Sequence, residues 1–265
     1  MTTYAPVLAD SATMLRRNLR RMRRYPSLTL FIAGIPVVLL LLFVYVFGGT
    51  LGAGLGQVAG GREGYLAYVL PGMLVITVAG AAQGTSISVA MDMTEGIIAR
   101  FRTMNIARLS VLTGHVIGSV IQTMLAIAIV MAVAVLMGFR SRTGPVEWIA
   151  ATGLLMLAAF AISWLSVALG MVAKSVETAS NLPMFLVFLP FLSSGFVPTD
   201  SMPPGLAWFA EHQPFTPLIE AVRSLLLGTP TGDTGVIAVG WCLLISLVGY
   251  LWAMRLYERP RPTSA

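Results

Sequence analysis

Charge is scarce in this chain, and so are the residues that most often carry chemistry. Charged side chains make up 11% of its 265 residues, with one lysine (Lys174), one cysteine (Cys242) and two histidines (His115 and His212). Soluble domains carry about 25% charged and roughly 45–50% apolar residues. Here 57% are hydrophobic and mean hydropathy is +0.84, so a soluble fold has too little polar surface to cover the rest. A lone cysteine excludes an intrachain disulfide and a cysteine metal cluster. Cys242 lies in an apolar stretch and reads as a small lipid- or helix-facing residue.

The single lysine also removes one route to ATP hydrolysis. A GxxxxGK[ST] phosphate loop needs glycines six and one residues before its lysine, and Lys174 has Ala168 and Ala173 there. HExxH and GxSxG patterns are missing as well, and Asp233 falls in a TGDT loop, so the sequence reads as no enzyme and no metal site. His115, near a helix end, reads as a packing or interfacial residue. Asp92, Arg140, Glu147 and Lys174 fall at the ends of apolar stretches, whose centres keep only uncharged polar residues such as Gln83, Ser86, Gln122 and Ser163. Ion-coupled transport uses ionisable groups inside the membrane, so it is disfavoured, and driving energy has to come from another subunit.

What the sequence does hold is a formal charge of +6 concentrated at one end. Arg16, Arg17, Arg20, Arg21, Arg23 and Arg24 precede an uncharged apolar segment, with no groove of interleaved aromatics, which points to anionic membrane lipid and not to nucleic acid. Leu8, Ala12, Leu15, Leu19 and Met22 recur every three or four residues, so residues 1–26 are expected to form an amphipathic helix in the headgroup plane, its arginines on phosphates. Pro26 ends it and turns the chain into the membrane.

Six segments are long enough to cross a hydrocarbon core of roughly 30 Å. They are Leu28–Phe47, Leu66–Met91, Val111–Met137, Trp148–Ala173, Leu182–Val197 and Val236–Met254, giving an all-α integral membrane fold over residues 27–254. The fifth is short and carries Pro183 and Pro190, so it either spans or dips. With both termini in the cytoplasm, 13 arginines and lysines fall inside and 4 outside, which sets the orientation and leaves 255–265 as a cytoplasmic tail. A cleaved signal peptide is the competing reading of the first basic and apolar run. That run is about 20 residues, longer than the usual 7–15-residue signal core, and five more spans follow. Segment 193–233 is external: it is rich in proline, and its apolar stretches Leu206–Ala210 and Leu218–Leu227 are too short to span, so they are expected as short outer-leaflet helices.

The inside loop 92–110, DMTEGIIARFRTMNIARLS, offers a second feature. If 96–108 is helical, Ile97, Phe101 and Met104 share one face while Glu95 and Arg102 lie on another. That shape suits docking into a groove on a partner protein, or equally an amphipathic connector resting on the membrane.

Taken in order, the basic N-terminal helix, EGIIARFRTMNIARLS after the second span, LGMVAKSVETASNLPMFLVFLPFLSSGFVPTDSMP through the fifth and QPFTPLIEAVRSLLLG before the last resemble the membrane subunit of an ABC-2 type transporter, in the daunorubicin-resistance permease group. The similarity covers nearly the whole chain. It implies that the coupling helix comprises Glu95, Gly96, Ile97, Arg100, Phe101, Arg102, Thr103, Met104 and Asn105 and touches a separate ATPase. It also implies two permease subunits, identical or related, with two ATPase subunits that hold the ATP and Mg; this chain is expected to hold no cofactor. Asn105 departs from the TMP of many relatives, which bears on the segment's shape and not on its role. The cargo implied is a hydrophobic or amphiphilic compound, a drug, antibiotic, lipid or glycolipid, exported across a bacterial cytoplasmic membrane. Gln83, Ser86 and Ser193 are candidates for orienting it on an apolar path formed by the first, second and fifth spans. The alternative is a non-transporting membrane scaffold, or an assembly partner in lipid or envelope synthesis.

Overall fold

The computed structural model describes residues 13, 15–20, 24, 26–49, 61–96, 108–141 and 143–258, and every regular element among them is helical. Five helices are long and apolar enough to cross a membrane. They are α1 (Pro26–Leu42, continuing as a π-helical turn over Phe43–Phe47), α2 (Gly61–Thr94), α3 (Arg108–Leu136), α4 (Pro145–Val172) and α9 (Thr234–Glu258). Proline opens α1 and α4, where a first-turn N–H has no intrahelical acceptor and its loss costs nothing. The five corresponding expected spans agree to within a few residues; α2 extends furthest beyond its expected bounds.

Helix α2 is the axis of the molecule. Tyr65, Leu66, Val69, Leu70, Met73 and Leu74 are all buried along it, as a helix that is apolar on every side must be, against protein or lipid. It meets α1, α3, α4 and the segment after α4. By contrast α1 and α9 keep apolar side chains outward, among them Phe31, Val38, Leu243 and Leu247.

Without a hydrophobic drive between helices in lipid, close approach of small residues supplies the packing. A Cβ at Gly170 of α4 would lie 2.5 Å from the Ser86 carbonyl oxygen of α2. At Gly249 of α9 it would lie 2.7 Å from the Leu165 nitrogen of α4. Hydroxyls add cross-links: Ser119 of α3 is 2.6 Å from Thr85 Oγ1 of α2 and accepts from Ser163 Oγ of α4 at 3.0 Å.

The apolar run after α4 is broken. It comprises α5 (Val176–Asn181), α6 (Met184–Phe188) and a 3-10 turn over Leu189–Leu192. Ser175 starts α5 by accepting the Thr178 N–H at 3.1 Å, Pro183 separates α5 from α6, and Pro190 lies in the 3-10 turn. The expected fifth segment, Leu182–Val197, therefore begins about two turns late: the helical stretch opens at Val176, and 193–196 are turns.

This segment runs beside α2 in the opposite direction. Ala173 and Ala179 pack on Ala90, the Gln83 amide donates to the Ser180 carbonyl at 3.0 Å, and the Tyr68 hydroxyl donates to the Ser194 carbonyl at 3.0 Å. At Gly72 an added Cβ would lie 3.0 Å from the Gly195 oxygen. From Ala90 to Tyr68 the helix rises about 33 Å at 1.5 Å per residue.

Two short helices follow, α7 (Pro204–His212) and α8 (Phe215–Leu227), within the stretch expected to carry them. Leu218, Ile219, Val222 and Leu226 are the buried stripe of α8, which packs on α2 and α4. Gly228, at φ 73°, closes α8 in the left-handed conformation that glycine adopts without a Cβ penalty.

Candidate functional site: an amide-lined cavity beside a buried charge cluster

A cavity of about 350 Å³ opens between α1, α2, α3 and the α5–α6 segment. Phe31, Ile35 and Pro36 of α1, Ile76 of α2 and Val187 of α6 give it an apolar wall. Asn18, Gln83, His115 and Gln122 give it a polar one. Each amide is fixed at one end: Gln83 as above, Gln122 Nε2 to Thr29 Oγ1 at 3.3 Å, and Asn18 Nδ2 to the Gly114 carbonyl at 2.8 Å. Asn18 belongs to the helical stretch 15–20, which lies against Gly118 of α3 closely enough that a Cβ there would sit 3.1 Å from Asn18 Cβ.

Below this cavity, near the C-terminal end of α2, lies a buried carboxylate. Asp92 accepts from His115 Nε2 of α3 at 3.0 Å and from the Arg17 guanidinium. The side chains of Asp92 and His115 are 8% and 3% exposed, that of Arg17 37%, so the pair is shielded on the helix side and solvated on the arginine side. A buried carboxylate needs such partners to stay ionised. Arg17, read from the sequence as one of six lipid-facing arginines, is turned inward; Arg16, Arg20 and Arg24 are exposed, and Arg21 and Arg23 lie outside the described residues. From the sequence His115 reads as a packing or interfacial residue. Asp92 lies in the last turn of α2 and His115 about two turns into α3, on the two helices that flank one loop, and that placement was the available signal.

Of the three residues expected on the substrate path, the structure brings only Gln83 to the cavity. Ser86 is buried where Gly170 crosses α2. Ser193 is buried and turned back on the Pro190 carbonyl, the local bonding that hydroxyls favour in turns. Of the expected coupling helix, Glu95 and Gly96 form the turn that ends α2, with Gly96 at φ 70°. Ile97, Arg100, Phe101, Arg102, Thr103, Met104 and Asn105 lie outside the described residues.

At the opposite end of α2, Arg223 of α8 donates to the Ser194 carbonyl at 2.7 Å and the Tyr68 carbonyl at 3.3 Å, and its guanidinium lies 4.1 Å above the Tyr68 ring. Burial pushes the pKa of Arg223 down, with Tyr68 and Glu220 opposing. An arginine starts too high for this to remove its charge. The guanidinium thus ties α8, α2 and the turn at 193–196 into one unit.

Membrane-length helices around a mostly apolar cavity with a few amides define a multi-pass membrane protein. A match to the ABC-2 type transporter family covers residues 11–227. The chain is 30% identical over 256 residues to the daunorubicin resistance ABC transporter permease protein DrrB1 of Streptomyces coeruleorubidus, covering 96% of this chain and 88% of the relative. It is 25% identical over 195 residues to a probable doxorubicin resistance ABC transporter permease protein DrrC of Mycobacterium tuberculosis, covering 70% and 71%. To nodulation protein J of Rhizobium leguminosarum bv. viciae it is 27% identical over 227 residues, covering 82% and 83%. The chain belongs to the ABC-2 type transporter family. It is a permease subunit, and ATP hydrolysis falls to a separate ABC ATPase.

Proposed function

We propose that this permease exports a hydrophobic or amphiphilic compound, a drug or antibiotic or a lipid or glycolipid, out across the bacterial cytoplasmic membrane. Two permease subunits, identical or related, work with two ATPase subunits that hold ATP and Mg. The observation that carries the reading is the cavity, whose mostly apolar wall with a few amides suits such cargo. Relatives named for resistance to daunorubicin and doxorubicin support the drug class.

Six crossings with both termini inside fit this role. The five long helices leave the termini on opposite sides; a sixth crossing by the broken segment, which follows α2 for about 33 Å against a core of roughly 30 Å, restores the charge bias. In that arrangement α7 and α8 belong to the outer leaflet, the N-terminal helix to the inner surface, and 92–110 to the ATPase.

Coupling is tested by Phe101→Ala. An aromatic anchor in a groove is commonly worth about 2 kcal/mol or more, so ATPase copurification and substrate-stimulated hydrolysis should fall while the spans still insert. Glu95→Ala and Arg102→Ala should be milder, since solvated rim charges contribute roughly 0–1 kcal/mol. Normal partner binding and stimulation in the Phe101 variant would leave the loop a connector resting on the membrane.

A further inference from the structure

The polar wall of the cavity is built from groups used at one end only. Gln83, Gln122 and Asn18 each spend their amide nitrogen on the protein, and the amide oxygen of each has no partner among the described residues. His115 is held through Nε2 by Asp92, and its Nδ1 likewise has no partner among the described residues. These atoms face the open cavity, where water or a ligand is the partner left to them. These four sit on three separate elements, the stretch 15–20, α2 and α3, yet line one space.

We propose that this cavity binds an amphiphile by an uncharged, hydrogen-bonding head group, with hydroxyl or amide donors set on the carboxamide oxygens of Gln83, Gln122 and Asn18. Its apolar body lies along Phe31, Ile35 and Val187. The head group is uncharged because the one carboxylate nearby among the described residues, Asp92, is already engaged by Arg17 and His115, and a charge brought into an apolar site without a counter-ion is heavily penalised. The volume of about 350 Å³ takes a head group and the start of one chain. The rest of the chain runs out along the exposed face of α1. The source is either the exported cargo or a resident neutral lipid. The first rests on the export reading above, the second does not.

The test uses the permease reconstituted with its ATPase in vesicles. The probe is a monoacylglycerol carrying a diazirine in its chain, compared with the same chain bearing a trimethylammonium or a carboxylate head. After illumination, adducts are mapped by mass spectrometry. The neutral probe should mark Phe31, Ile35 and Val187. Combining Gln83→Leu with Gln122→Leu should lower those adducts roughly tenfold, as two lost hydrogen bonds imply. Val187→Trp, which fills the cavity and leaves the amides in place, should lower them too. Adducts on Leu247 and Val248, exposed on α9, should stay constant and report an intact fold. Depletion of the cavity adducts by ATP turnover identifies cargo; adducts indifferent to turnover identify a resident lipid. Equal cavity labelling by the charged probes, or unchanged adducts in both variants, overturns the proposal. Failure of the wild-type complex to couple ATP hydrolysis to transport would sink the export reading while leaving the labelling result to stand or fall by itself.

Discussion

Helix α4 contains two glycines whose replacement by alanine should act in opposite directions. At Gly170 the new Cβ would lie 2.5 Å from the Ser86 carbonyl oxygen and 3.0 Å from Val89 Cβ, and the nearer atom is backbone, which cannot rotate away. Restoring ordinary contact requires α2 and α4 to part by roughly 1 Å, and a gap of 0.5–1 Å forfeits about a quarter to a half of each dispersion well it opens. Overpacking of this kind costs about 1–3 kcal/mol. Alanine returns up to about 1 kcal/mol through helix propensity, so the net loss is up to about 2 kcal/mol. At Gly153, by contrast, no atom lies within 4 Å of the added Cβ, so the propensity gain stands alone. For a chain of this size 1 kcal/mol corresponds to roughly 2–4 °C. In detergent, monitored by fluorescence-detected size exclusion after heating, Gly170→Ala should melt lower, by up to about 8 °C, and Gly153→Ala unchanged or a few degrees higher. Equal melting of the two variants would refute packing of α2 on α4 through Gly170.

Arg223→Ala removes two charged hydrogen bonds, to carbonyls that keep their other donors, and the contact with the Tyr68 ring, a loss of about 2 kcal/mol or more; Arg223→Lys should restore only part, having no planar fork to reach both carbonyls. Limited proteolysis between residues 197 and 214 should accelerate in both, and unchanged cleavage would remove Arg223 as the clamp. Asp92→Leu leaves His115 without its carboxylate and removes the ion pair with Arg17; because Arg17 is 37% exposed, the cost is held to about 1–3 kcal/mol, below that of a fully buried pair. Trypsin should then cut between residues 15 and 24 faster than in wild type, and an unchanged rate would show that Asp92 does not hold this stretch. In a Cys242→Ser background, a cysteine at Thr103 should be labelled only after the membrane is breached. Labelling from outside intact cells would invert the proposed topology.

Much of the architecture was open to inspection in the sequence because lipid asks a simple question of it. Long apolar runs without charge become helices that satisfy their own backbone, and five of the six expected spans are such helices. The break in the remaining segment was visible in Pro183 and Pro190. Its earlier start was not, although Ser175 followed by Thr178 is an N-cap pattern. Hidden altogether were the contacts that place these helices against one another: Gly72 on Gly195, Gly170 on Ser86 and Gly249 on Leu165 pair residues far apart in the chain. Site residues divide along the same line. Gln83 was singled out because an amide in an apolar helix needs a reason, yet nothing in the local sequence said that Asn18, Gln122 and His115 would meet it.

The central position of α2 has a consequence for how the protein is made. Its neighbours α4, α5, α6 and α8 are all synthesised after it, and Gly72 meets Gly195 only once roughly 120 further residues have been added, some 6–25 s at about 5–20 residues per second. For that interval the face of α2 that ends up against protein backbone is bathed in lipid or held at the insertion machinery. Nascent chains halted before residue 145 should therefore be membrane-inserted yet short-lived, and chains halted after α8 should be the first to resist degradation.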